Sequence, residues 1–121
     1  MAKTIDYEFP RGDTYLLRKF RITDKNKNVI QLTDTEQLYF TVKTDSNTRD
    51  LLIQKRINSG IELGDDGYYH ITIEPEDTNG LDYASYVYDI QLKSTRTKNI
   101  VKTLFDGTIT LTNEVTWGVN E

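Results

Sequence analysis

At 121 residues the chain suits one domain, which buries roughly two-thirds of its unfolded surface and needs no metal or disulfide to fold. It contains no cysteine, and this excludes a disulfide scaffold and a thiolate zinc site. A net charge of −4 and a pI near 5.0 argue against a general nucleic-acid binder, whose basic residues would cluster on one face.

The opening residues, MAKTIDYEFP, lack the apolar core of a signal peptide, so no Sec-type export is expected. No apolar run approaches the ~20 residues of a membrane helix. In residues 3–9, Ile5, Tyr7 and Phe9 share one side of an expected first strand. Pro10-Arg11-Gly12-Asp13 is a turn, because proline fixes φ and glycine permits positive φ. In residues 14–23, Tyr15 and Leu17 have one parity and Phe20 and Ile22 the other. A bulge near Arg18-Lys19 would bring both pairs to the core. Arg18, Lys19 and Arg21 form the densest basic group and are expected on a solvated strand face.

A polar hairpin loop at residues 24–28 leads into Val29, Ile30 and Leu32. Leu38, Phe40 and Val42 then alternate with Tyr39, Thr41 and Lys43 as a half-buried strand. After the polar loop 44–50, Leu51, Ile53 and Lys55 share one side of a further strand. Gly64-Asp65-Asp66-Gly67 is a turn signal. Residues 67–92 are the clearest stretch of the chain. Tyr69, Ile71 and Ile73 alternate up to Pro75, the acidic corner Glu76-Asp77-Thr78-Asn79-Gly80 turns the chain, and Tyr86, Tyr88, Ile90 and Leu92 alternate again. Val101, Thr103, Phe105, Ile109 and Leu111 keep one parity, with Gly107 where a bend is expected. Residues 113–121 carry Val115, Trp117 and Val119 as their only large apolar groups and read as an irregular or partner-docking tail. Seven to nine short strands with no helix describe a single antiparallel β-sandwich.

Residues 81–88, LDYASYVY, resemble the Asp-x-Ala/Gly-x-Tyr-x-Cys segment of immunoglobulin-type sandwiches. The resemblance implies that Tyr86 is a corner tyrosine bonded back across the turn, with Asp82 its acidic companion. Tyr88 stands where the disulfide cysteine would be, and no tryptophan occurs in the strand around Phe40, so the match supports a fold rather than an antibody-like role. The whole layout, from Arg11-Gly12-Asp13-Thr14 through Gln31-Leu32-Thr33 and Pro75-Glu76-Asp77-Thr78 to Gly107-Thr108-Ile109-Thr110-Leu111, is similar to small phage and prophage tail or baseplate proteins. That resemblance implies a virion component, cytoplasmic before assembly, that binds other protein subunits, further copies of itself included. It implies no catalytic residue.

The chemistry-bearing residues fit that reading. His70 is the only histidine, has outward parity and lacks the further imidazoles or thiols of a metal site. Asp65-Asp66 and Glu76-Asp77 do not follow the calcium-loop spacing and suit turns. Arg11-Gly12-Asp13 is the integrin-ligand tripeptide, but here glycine serves a turn. No cofactor, metal, nucleic acid or membrane is expected, and no enzyme. Among eight tyrosines, Tyr39 and Tyr68 have outward parity. With Trp117 they are the expected partner contacts, because aromatic rings with polar tips suit interfaces. The same three could instead form a stacking platform for carbohydrate. A sandwich also exposes strand edges, which proteins blunt or use for recruitment.

Overall fold

A computed structural model describes residues 3–23, 26–30, 32, 35–45, 51–95 and 100–112. The strands in chain order are β1 (Lys3–Thr4), β2 (Tyr7–Pro10), β3 (Tyr15–Phe20), β4 (Ile22–Thr23), β5 (Val29–Ile30), β6 (Glu36–Lys43), β7 (Ile53–Ile57), β8 (Gly60–Leu63), β9 (Tyr69–Ile73), β10 (Ser85–Ser94) and β11 (Ile100–Thr112). Among the described residues a single short helix, α1 (Pro75–Thr78), lies between β9 and β10. Nine strands make one sheet in the order β1-β11-β10-β6-β7-β8-β9-β3, with β2 also on β11, and β4 pairs β5 separately.

The fold is all-β, as the alternation requires, but the sheet is mixed rather than wholly antiparallel. β1 and β2 run parallel to β11, and β7 meets β8 in a short parallel contact. The expected first strand is split in two at Ile5-Asp6, where the Tyr88 hydroxyl donates to the Ile5 carbonyl at 2.6 Å. The chain there crosses so close to β11 that a Cβ on Gly107 would collide with the Ile5 carbonyl oxygen. Glycine is therefore required at 107 for space as well as for its φ of +149°.

No helix long enough to cover a sheet is present among the described residues, so the sheet buries its apolar face by curling onto itself. The Phe20 ring of β3 meets the Phe105 ring of β11 edge-on, 5.4 Å between centroids, although the two strands lie far apart in the sheet order. Phe9 of β2 stacks on Tyr15 of β3 at 4.3 Å. Between these contacts lie Leu38, Phe40 and Val42 of β6, Tyr69, Ile71 and Ile73 of β9, and Tyr86, Tyr88 and Ile90 of β10, all buried. Fully removing each such side chain from water contributes roughly 1.5–3 kcal/mol.

Among the described strand residues, two carry charged side chains turned inward. The register shift in β3 falls at Leu17, one residue before the expected site, and it turns Arg18 to the core face opposite Ile71. Arg18 therefore leaves the solvated face that Lys19 and Arg21 keep. Lys55 of β7 is also buried, and its Nζ lies 2.8 Å from Asp77 Oδ2 in α1. The same carboxylate oxygen accepts the Glu74 N–H at 2.7 Å, closing a capping box. In β11 a second shift, opposite Ile90-Gln91, puts Val101 and Thr103 out of phase with Phe105. Val101 is accordingly 59 % exposed and not a core residue.

Removing one partner of a buried ion pair leaves the other charge uncompensated. Asp77→Ala is expected to lower stability by about 3 kcal/mol in a denaturant titration, and adding Lys55→Met to it to recover much of the loss.

Candidate interaction surface

The outward face of β6, β10 and β11 is built by the same alternation that fills the core. Leu38, Phe40 and Val42 point in, so Tyr39, Thr41 and Lys43 point out. Antiparallel pairing sets Tyr39 opposite Arg56 on one side and Gln91 on the other, with Lys93 on the diagonal. The Arg56 guanidinium lies 5.3 Å and the Lys93 ammonium 4.8 Å from the Tyr39 ring centroid. A cation so placed is held by the ring's π charge.

Further along this face is a concavity of about 510 Å³, walled by Thr4, Asp6, Thr41, Lys43, Asp89, Asp106 and Thr108. Asp89 and Asp106 stand directly opposite each other on β10 and β11. Asp106 accepts the Thr4 hydroxyl at 2.7 Å, and Asp6 accepts the Thr108 N–H at 3.0 Å. Partial burial, and secondarily the facing Asp106 charge, push the Asp89 carboxyl above its ordinary range against the pull of Lys43.

A second cluster surrounds Tyr68, just before β9. Lys19 and Arg21 lie 5.4 and 4.7 Å from its ring centroid. Asp66 accepts the Tyr68 N–H at 3.0 Å and lies 3.3 Å from both Lys19 Nζ and His70 Nε2. The Tyr68 N–H, more than the two side chains, holds the Asp66 carboxyl down at about 2.

Tyr39 and Tyr68 thus face outward, half-buried, each within its own pair of cations, and the fold does not merge them into one platform. Trp117 lies outside the described residues. The alternation exposed both tyrosines, but their cations became assignable only through strand pairing, which brings Arg56 to Tyr39 from seventeen residues away, 56 less 39. Arg11 hydrogen-bonds the Leu81 carbonyl at 3.1 Å and lies 4.3 Å over the Tyr83 ring, so the Arg-Gly-Asp tripeptide pins a corner. Asp66 and Asp77 spend oxygens on local N–H groups, the turn chemistry expected of them.

No protein-family model matches this chain, and no curated protein is significantly similar to it. No helix among the described residues is long and apolar enough to cross a membrane.

A raised carboxyl favours the folded state while protonated. The benefit is complete below the ordinary carboxyl value and is lost as pH rises through the raised one. Asp89→Asn is therefore expected to raise the unfolding midpoint at neutral pH, with the difference from wild type vanishing below about pH 4. Thermal melts across pH check this.

Proposed function

We propose that this chain is an immunoglobulin-like β-sandwich acting as a non-enzymatic structural or adaptor module in a larger assembly, a phage or prophage tail or baseplate being the setting its sequence resembles. In the fold reading, β3, β9 and β8 form one layer and β11, β10, β6 and β7 the other, the grouping that immunoglobulin-type domains use. The Tyr86 hydroxyl donates to the Asp82 carbonyl four residues upstream, 2.9 Å away, in the manner of a tyrosine corner. Phe40 and Tyr88, 5.9 Å apart, fill the space where tryptophan and disulfide meet in antibody domains.

The observation that carries the functional reading is the Tyr39 cluster. A half-buried tyrosine beside an arginine, on an outward strand face, is residue chemistry enriched at protein interfaces, and Lys93 adds a second cation over the same ring. Other protein subunits, this chain's own copies among them, are the partners it suits. Carbohydrate binding is the second reading, favoured by the carboxylates and threonine hydroxyls of the concavity. It ranks lower because cations already lie over both tyrosine rings. A glycan array silent across broad classes would remove it.

Light scattering at rising concentration, alone and with co-expressed neighbouring gene products, tests the assembly reading. A defined complex is expected, weakened at least about tenfold by Tyr39→Ser with Arg56→Ser. A strictly monomeric chain that captures no subunit would contradict it.

A further inference from the structure

Strand β3 ends the sheet, paired on one side with β9 and on the other with no described strand. Such an edge offers free N–H and C=O groups to any second strand. Its register sets Tyr15 opposite Ile73, Arg18 opposite Ile71 and Phe20 opposite Tyr69. Arg18 thus leaves the strand on the same face as core aromatics, and it does so because Leu17 is one residue too many. Without that bulge Arg18 would share the outward face with Leu16.

The Arg18 guanidinium reaches across to β11 and lies 4.9 Å over the Phe105 ring. Its Nε is buried with no hydrogen-bond partner among the described residues, while the side chain as a whole keeps partial access to water. We propose that Arg18, turned inward by the Leu17 bulge, keeps β3 from pairing edge to edge with a second copy of this chain. A strand laid along β3 would cover the Leu17–Arg18 bulge and remove further water from a guanidinium whose Nε already lacks a partner, and an unpaired buried cation is costly. Two β3 strands side by side would also bring Arg18 and Lys19 of each copy, with Arg21 just beyond the strand, close to the same charges in the other. The bulge with the inward charge it produces, and the exposed lysine beside it, are known ways of blunting a sheet edge. The other edge is protected differently, by a two-residue β1 and by Pro10 ending β2. This inference holds whether or not the assembly reading does, and it directs any association of copies away from β3.

Arg18→Met removes the charge and keeps an unbranched stem. In sedimentation velocity it is expected to gain a self-associated species absent from wild type. In hydrogen exchange, the β3 amides pointing away from β9 are expected to exchange at least about tenfold more slowly at high than at low concentration. Arg18→Lys should behave as wild type. The proposal is overturned if Arg18→Met matches wild type in mass and in β3 exchange, or if wild type itself shows concentration-dependent protection of those amides. Should Arg18→Met not fold, Arg18→Gln is measured in its place, and fast β3 exchange at every concentration overturns the proposal equally. Association of Arg18→Met that leaves the β3 amides unprotected runs through another surface and likewise overturns the proposal.

Discussion

A nine-stranded sheet with one apolar face has to hide that face, and here the sheet itself is the cover. Ile71, Ile73, Ile90 and Phe40, none of them measurably exposed, reach that state only because β3 and β9 curl over β10 and β11. The Phe20–Phe105 contact marks where the two ends meet. Apolar burial of this kind is non-directional, so it draws the ends together without setting how they align. Alignment comes from a few polar bonds at the places where the chain changes ends.

The corner between β9 and β10 holds most of these bonds. Thr78, almost completely buried, accepts the Gly12 N–H at 2.8 Å, which ties α1 to the turn before β3. Arg11 reaches the Leu81 carbonyl, Tyr86 the Asp82 carbonyl, and Lys55 the Asp77 carboxylate. Lys55 and Thr78 are buried polar groups that these bonds satisfy, and the others fix backbone at the corner, positions where one kcal/mol matters to a fold of marginal stability. At the opposite seam, Gly107 lets the Ile5-Asp6 crossing lie against β11, and Tyr88 ties it down. Burial, with the adjacent Tyr7 as a lesser cause, pushes the Tyr88 hydroxyl far above its usual value, so it acts as a donor at any physiological pH.

The inward residues of β6, β9 and β10 were legible because a period of two needs no partner to be seen. Tyr86 was legible through its surrounding motif. Positions that depend on pairing were not. A one-residue error in placing the β3 bulge sends Arg18 to the wrong face, since strand side chains alternate. Val101 fails for the same reason, through the shift opposite Ile90-Gln91. The parallel seating of β1 and β2 on β11 leaves no mark in composition, because it joins segments about a hundred residues apart. Lys55 had core parity in the sequence, but only Asp77, arriving from α1, explains how a lysine is tolerated there.

The outward faces follow from the inward ones, since each buried residue fixes its neighbours toward water. Tyr39 with its cations, the acidic concavity beside it and the blunted β3 edge are all consequences of one sheet curled over its own core. The most direct measurement of that closure is a nuclear Overhauser experiment on the aromatic rings. Cross-peaks between the ring protons of Phe20 and Phe105, and between those of Phe9 and Tyr15, are predicted from centroid separations of 5.4 and 4.3 Å. Intact strand ladders without either cross-peak would mean an open sheet, and would contradict the account.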